Sequence, residues 1–513
     1  MSQVLFGQSY YLRFDPKLWQ AMQPYPPLGT LYAASYLSKR GYDVALFDAM
    51  LAKSEEEWGQ ALASHSPAFA VLYEDNFNYL SKMCLLRMRQ AALRMIGMAK
   101  ERGCCIILCG ADATDHAEHY LEQGADFVLL GEGEETLGEL MDRLTGKNDT
   151  PLESIRGLAY KANGIAVRNP RRPDLRALDD LPFPAWDLVD VERYRSIWLE
   201  RHGYFSMNIV TTRGCPFHCN WCAKPIWGQR YNSRSPENVA AEMRWLKDTY
   251  HPDALSFADD ILGLKPGWLA RLADLVEERS ACIPFKCLSR VDLLLRPGEV
   301  SALARAGART VWVGAESGSQ KILDAMDKGT QVEQIRQARR LLGEAGIQVG
   351  FFLQFGYPGE TRADIEQTLQ LVRDCSPDDI GISVSYPMPG TKFYAAVATK
   401  LGQKQNWQDS DDLAMLYAGP FSTAFYRKLH SVVHKEFRAR KAWQAMKGHL
   451  RTGAALTWRQ RLCRTAGLVY NLVTLPLGRA QLNILALQSP RRLASLPHMA
   501  HEAAASPTPQ EEP

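Results

Sequence analysis

Residues 207–222 read MNIVTTRGCPFHCNWC: a strand-like apolar run, a turn at Gly214, then three cysteines spaced C-x3-C-x2-C. Thiolates from Cys215, Cys219 and Cys222 on one short loop can hold three corners of a cuboidal iron–sulfur cluster. Such a cluster ordinarily takes four thiolates, so three leave one iron open to a further ligand. A structural zinc centre is the alternative, because Cys3His is a common zinc set. His218 adjoins Cys219, however, and no second ligand pair follows at the usual spacing.

Downstream of that loop the pattern alternates between apolar runs and helical stretches. ALSFADD (254–260), FKCLSRV (285–291), TVWVGAES (310–317), VGFFLQFG (349–356) and IGISVSYP (380–387) join MNIVTTR as six strands. Helical stretches fall between them, for example at 236–250 and 333–345. Six βα units fall short of a closed eight-fold barrel, so residues 201–395 are expected to form a partial (β/α)6 barrel. Its chemistry belongs at the strand ends, where Asp259 and Asp260, Arg290, Glu316 and Gln354 stand. One of the two aspartates suits an ammonium ligand and the other suits a helix cap. Arg290 suits a carboxylate by bidentate pairing.

Upstream, residues 1–145 carry VALFDA (44–49), AFAVLY (68–73), CIILCG (105–110) and DFVLLG (126–131). Continuous apolar strands separated by helices predict a parallel sheet covered on both faces, a doubly wound domain with its ligand edge at the strand C-termini. Residues 146–200, with NPRRPDL and DDLPFPAWDL, read as a linker. Beyond about 396 the sequence turns helical to residue 500, and residues 501–513 read as a disordered tail.

The chain has 513 residues, of which 46% are hydrophobic, and 60 basic against 57 acidic groups give a net charge of +3. That balance excludes a collagenous, globally disordered or wholesale nucleic-acid-binding protein. Residues 427–464 hold 11 Lys or Arg against Glu436 alone, so this segment is +10 and the remainder −7. The asymmetry suggests an anionic surface or acidic substrate; a basic cap closing the open barrel is the competing reading. No window carries the roughly 18 apolar residues of a membrane-spanning helix. The N-terminus shows no secretion signal, and the eleven cysteines suit thiols or metal ligands. A cytoplasmic protein is expected, with peripheral membrane contact through 427–487.

C-x3-C-x-W-C after the first strand of a six-stranded barrel resembles the radical S-adenosylmethionine superfamily. The resemblance implies that Cys215, Cys219 and Cys222 bind a 4Fe-4S cluster whose open iron takes S-adenosylmethionine. It assigns cofactor contacts to Asp260, Arg290, Glu316 and Gln354, and places Trp221 near the adenine. PYPPLGTLYAASYLSKRGYDVALFDA and GADFVLLGEGEETLGEL (124–140) resemble the cobalamin-binding domain of the group containing C- and P-methylases and the anaerobic magnesium-protoporphyrin ester cyclase. That likeness implies a Rossmann-like cobalamin domain, with Tyr73, Asn76, Gly110, Asp112, Gly131 and Glu132 lining the corrinoid. D-x-H-x-x-G is absent, so no histidine is offered to cobalt from that motif.

The expected activity is methylation of an unactivated carbon on a small or hydrophobic substrate, lipid-like or a tetrapyrrole. Oxidative cyclisation or rearrangement is the alternative reaction, and a cluster- or corrinoid-carrying sensor the non-enzymatic one. An external electron donor such as flavodoxin or ferredoxin is implied, and no nucleic acid is expected.

Overall fold

The computed structural model describes residues 3–83, 85–222, 226–227, 230–452 and 458–488. The tail expected at 501–513 lies outside the described residues.

The first sheet contains β1 (Val4–Gly7), β2 (Val44–Leu46), β3 (Phe69–Tyr73), β4 (Cys105–Cys109), β5 (Phe127–Leu129), β6 (Leu158–Ala162) and β7 (Ile165–Arg168). Their order is β2-β1-β3-β4-β5-β6-β7. The first five strands run parallel, with α1 (Leu28–Lys39), α2 (Leu86–Lys100) and α3 (Glu134–Leu144) among the covering helices. Both faces are apolar: Leu5, Leu72, Met95 and Leu108 pack on one side, Phe6, Val71, Ile107 and Leu140 on the other. Burial of both faces is why these strands lack polar alternation.

Two features differ from expectation. The stretch read as a linker supplies β6 and β7, an antiparallel hairpin that extends the sheet. Its turn is Asn163-Gly164, both at positive φ (51° and 80°), a pairing that matches the twist of the flanking strands. β1 was not anticipated either; VLFG is fully buried in the sheet interior between β2 and β3.

The barrel consists of β8 (Ser206–Ile209), β11 (Ala254–Phe257), β12 (Phe285–Ser289), β13 (Ala308–Glu316), β14 (Gln348–Phe355) and β15 (Asp379–Val384). They are parallel and in sequence order, with β8 and β15 at the edges, as the six-unit reading requires. Between β8 and β11, β9 (Thr212–Arg213) and β10 (Asn232–Ser233) form a short antiparallel pair around the cysteine loop. The outer face packs under helices that include α4 (Pro236–Tyr250), α5 (Trp268–Glu278), α6 (Val332–Glu344) and α7 (Arg362–Cys375). Ser235 caps α4 through the Asn238 N–H, and Pro236 occupies its first turn, where a missing N–H costs nothing.

The C-terminal region is helical only from α8 (Thr423–Thr452) and α9 (Trp458–Gln488); residues 401–422 are largely irregular, with an isolated bridge between Leu401 and Tyr417. Phe425, Tyr426, Leu429 and Val433 of α8 are buried in the barrel core, so the start of α8 caps the barrel. Glu436, its one acid, accepts from Arg373 of the barrel and Arg479 of α9, each at 2.7 Å. Among the described residues no helix is long and apolar enough to cross a membrane.

Candidate functional site

The cysteine loop begins one residue after β9 and is fixed at both ends. Ahead of it, the buried Asp259 carboxylate accepts from the Thr211 N–H (2.9 Å), the Thr211 hydroxyl (2.8 Å) and the Thr212 hydroxyl (2.6 Å). Burial raises the Asp259 pKa to about 6 despite those donors. Gly214 follows at φ +82°, where a Cβ would strike the Arg230 carbonyl, so the turn into the loop requires glycine. Behind it, Asn220 donates to the Ala325 carbonyl (2.8 Å), accepts from Tyr357 Oη (2.9 Å) and takes a backbone bond from the Phe393 N–H (3.0 Å). Asn220 was not singled out by sequence reading, because its partners lie over 100 residues away.

Cys215 and Cys219 are buried and Cys222 half-buried. Arg290 Nη1 stands 3.8 Å from Cys219 Sγ, and its Nη2 donates to the Lys328 carbonyl at 2.9 Å. The guanidinium also lies over the Phe217 ring at 3.6 Å. Lys328 donates to Glu316 Oε1 at 2.9 Å; burial opposes its charge, yet Glu316 and Cys219 together hold its pKa above the ordinary value. The Arg290 guanidinium, paired with Asp292 at 3.0 Å, thus lies beside the Cys219 sulfur. Three cysteines on one loop beside a guanidinium have the donor chemistry of an anionic iron–sulfur cluster. Among the described residues, no three His, Cys, Asp or Glu side chains meet in a metal-binding group.

Glu316 ends β13 in the left-handed region (φ 56°), just after a register shift between Gly314 and Glu316. A non-glycine residue held there marks a site whose surroundings over-determine it. Gln354 is buried on β14 and donates to Ser385 Oγ at 3.0 Å. Asp260 accepts from Lys82 of the first domain at 2.5 Å, and that ammonium also lies 5.1 Å from the Trp227 ring. Trp221 packs beside Ile322, Met326 and Tyr357, with its Nε1 buried and without a protein partner.

At the C-terminal edge of the first sheet, Tyr73 Oη accepts from the Gly133 N–H at 3.2 Å. Asn76 is buried with Oδ1 unpartnered, and the nearby Ser81 Oγ is likewise unpartnered. A small cavity lies here, lined by Ser9, Glu74, Ser81, Arg89 and Asp112. Burial raises Glu74 to about 7, while at Asp112 burial is outweighed by the Arg89 guanidinium, which keeps that carboxyl below its usual range. Arg89 grips Asp112 at 2.5 and 2.7 Å, beginning two residues after Gly110. Orphaned polar atoms at a strand-end edge are a fit for a polar, amide-rimmed ligand.

Gly131 donates to Thr114 Oγ1 at 3.1 Å, while Glu132 turns toward the barrel. Arg213, the residue before Gly214, donates to Glu132 (3.0 Å) and to Glu134 (2.7 Å). Arg213 of β9 therefore ties the C-terminal edge of the first sheet to the strand that leads into the cysteine loop.

Residues 209–372 match the radical SAM superfamily. The chain is 30% identical over 286 residues to an uncharacterized methyltransferase of Pyrococcus horikoshii, covering 55% of this chain and 60% of that one. It is 26% identical to the anaerobic magnesium-protoporphyrin IX monomethyl ester cyclase of Rubrivivax gelatinosus, over 74% of this chain and 67% of that one. Among solved structures it superposes on OxsB, a cobalamin-dependent S-adenosylmethionine radical enzyme with aqua-cobalamin bound, with a TM-score of 0.70. That match covers 93% of this chain and 72% of OxsB, and at 17% identity it concerns the fold.

Proposed function

We propose that this chain, whose residues 209–372 match the radical SAM superfamily, is a cobalamin-dependent methyltransferase acting on an unactivated carbon of a small organic substrate. The observation that carries the reading is Arg213, held between Glu132 and Glu134 immediately before the cysteine loop. It brings the ligand edge of the first domain against the barrel mouth, so that a group on either edge reaches the same substrate.

In this reading Cys215, Cys219 and Cys222 hold the 4Fe-4S cluster, while Asp260, Arg290, Glu316 and Gln354 surround S-adenosylmethionine. Tyr73, Asn76, Gly110, Asp112, Gly131 and Glu132 line cobalamin. When bound, these groups supply a carbon-centred radical and a transferable methyl group. The chain's own residues do the rest. Arg290 stands beside the Cys219 sulfur, and Asp259 and Asn220 fix the loop that carries all three thiols. Lys328 orients the Glu316 carboxylate, leaving its second oxygen for a hydroxyl donor. The first domain carries no D-x-H-x-x-G sequence and so supplies no imidazole from that position. An external one-electron donor of the flavodoxin or ferredoxin type completes the reaction.

Anaerobic turnover with S-adenosylmethionine is expected to yield S-adenosylhomocysteine together with 5′-deoxyadenosine, and a product heavier by about 14 Da, one CH2. 5′-Deoxyadenosine without S-adenosylhomocysteine contradicts methylation. The second reading, oxidative cyclisation or rearrangement, is favoured by the breadth of the cyclase match and predicts that outcome, with no CH2 gained.

A further inference from the structure

The inner face of the barrel carries an aromatic shelf that none of the residues above uses. Side chains alternate along a strand, and Val311, Val313, Phe351 and Leu353 point outward into the core beneath the helices. Trp312 and Phe352 consequently point inward, and their rings stack with centroids 4.7 Å and planes 28° apart. The register sets Trp312 beside Gly350 and Phe352 beside Gly381. A Cβ at 350 would run into the indole, and one at 381 would stand 3.0 Å from Phe352 Cδ1 and 3.5 Å from Trp312 Cζ3. Two glycines thus let two rings lie flat along the sheet instead of standing off it.

Phe352 remains 38% exposed, in the middle of a strand whose outward neighbours are fully buried. The shelf sits one layer below the rim, since Gln354 follows Phe352 by two residues on the same face. On its far side, Lys286 of β12 registers with Thr310, two residues before Trp312 on the same face. The Lys286 ammonium lies 5.1 Å from the Tyr25 ring and makes no ion pair among the described residues.

We propose that this shelf is the substrate platform: it takes a planar unsaturated ring system stacked on Phe352 and Trp312, with an acidic substituent directed to Lys286. A flat ring matches the offset stacking that aromatic faces favour, and a cation without a carboxylate partner suits an anionic group. The inference rests on the reading of the barrel mouth as the reaction centre, which sets the ring beneath the rim residues Glu316 and Gln354.

Three probes of one skeleton test it on the anaerobically reconstituted full chain: 2-naphthoate, its saturated analogue decahydro-2-naphthoate, and 2-naphthamide. Calorimetry is expected to show 2-naphthoate binding about tenfold more tightly than the saturated acid. Phe352→Leu, which keeps the volume and removes the π face, is expected to abolish that preference. Lys286→Met is expected to remove the preference for the acid over the amide and to keep the preference for the flat ring. Equal binding of flat and saturated acids, no binding of 2-naphthoate, or an unchanged preference in Phe352→Leu overturns the proposal. Reductive cleavage of S-adenosylmethionine by the wild-type preparation separates the two readings. Cleavage without ring preference removes the platform alone, and ring preference without cleavage removes the radical reading alone.

Discussion

Arg213 Nη2 donates to Glu134 Oε1 at 2.7 Å across the join between the two sheets, with both side chains about 95% buried. Burial by itself raises a carboxyl pKa, yet Arg213 brings Glu134 below its ordinary value; Glu132, which shares the same guanidinium, stays above. A buried ion group of this kind adds little over an apolar replacement, but breaking it leaves charges stranded. Its value here is geometric, because it fixes the cysteine loop against the first domain.

Arg213→Met is therefore expected to lower stability by about 3–5 kcal/mol, as for a buried pair stripped of one partner. Denaturant unfolding measures the loss, and iron content after reconstitution is expected to fall with it. Glu132→Gln, which leaves the Arg213–Glu134 pair in place, is expected to cost less.

Asp259→Ala removes the acceptor for one N–H and two hydroxyls just ahead of the cysteines. A loss of about 1–3 kcal/mol is expected from the donors left buried. Asp259→Asn keeps one acceptor oxygen and should recover part of both stability and iron occupancy. Full iron occupancy in Asp259→Ala would show that the loop does not depend on this anchor.

Glu360 gives a pH signature. It is buried at the turn after β14, where it accepts from the Gly356 N–H (2.8 Å) and Tyr426 Oη (3.2 Å), and Oε1 has no protein partner. Burial pushes its pKa up to about 8. Between the unfolded value near 4.3 and 8, the folded chain binds the extra proton, so stability falls as pH rises through that window. The loss is on the order of 4 kcal/mol by pH 8. Glu360→Gln is expected to flatten the pH dependence of Tm from about 5 to 8 and to be the more stable protein at pH 8. An unaltered slope would place the titration elsewhere.

Much of this site was legible in the sequence, for a physical reason. The cysteine spacing is local, and strands buried on both faces appear as unbroken apolar runs, which is how six barrel strands were found in order. What escaped depends on distance or brevity. Lys328 and Asn220 act through partners remote from the cysteines along the chain, and the Glu132–Arg213 pair spans 81 positions. β1 is only four residues long, so no periodicity develops. The hairpin hidden in the supposed linker did leave a sign, the Asn-Gly of KANGIAVR (161–168), overshadowed by the Pro- and Arg-rich residues that follow. Asp260 illustrates the limit: its place at a strand end was readable, but its pairing with Lys82 was not.

The cap should be integral to the barrel. Leu429 of α8 is 1% exposed in the same core as Phe355 and Val384. Leu429→Ala is expected to cost about 2–5 kcal/mol. Thermal unfolding checks this, and a change below 0.5 kcal/mol would mean that α8 is only loosely docked.

The most direct test of the account is metal content. After anaerobic reconstitution with iron, sulfide and hydroxocobalamin, then desalting, about four irons and about one cobalt per chain are expected. Cys219→Ala is expected to lose the iron and keep the cobalt. Zinc in place of iron, or neither metal, would contradict the radical chemistry; four irons without cobalt would contradict the corrinoid role of the first domain.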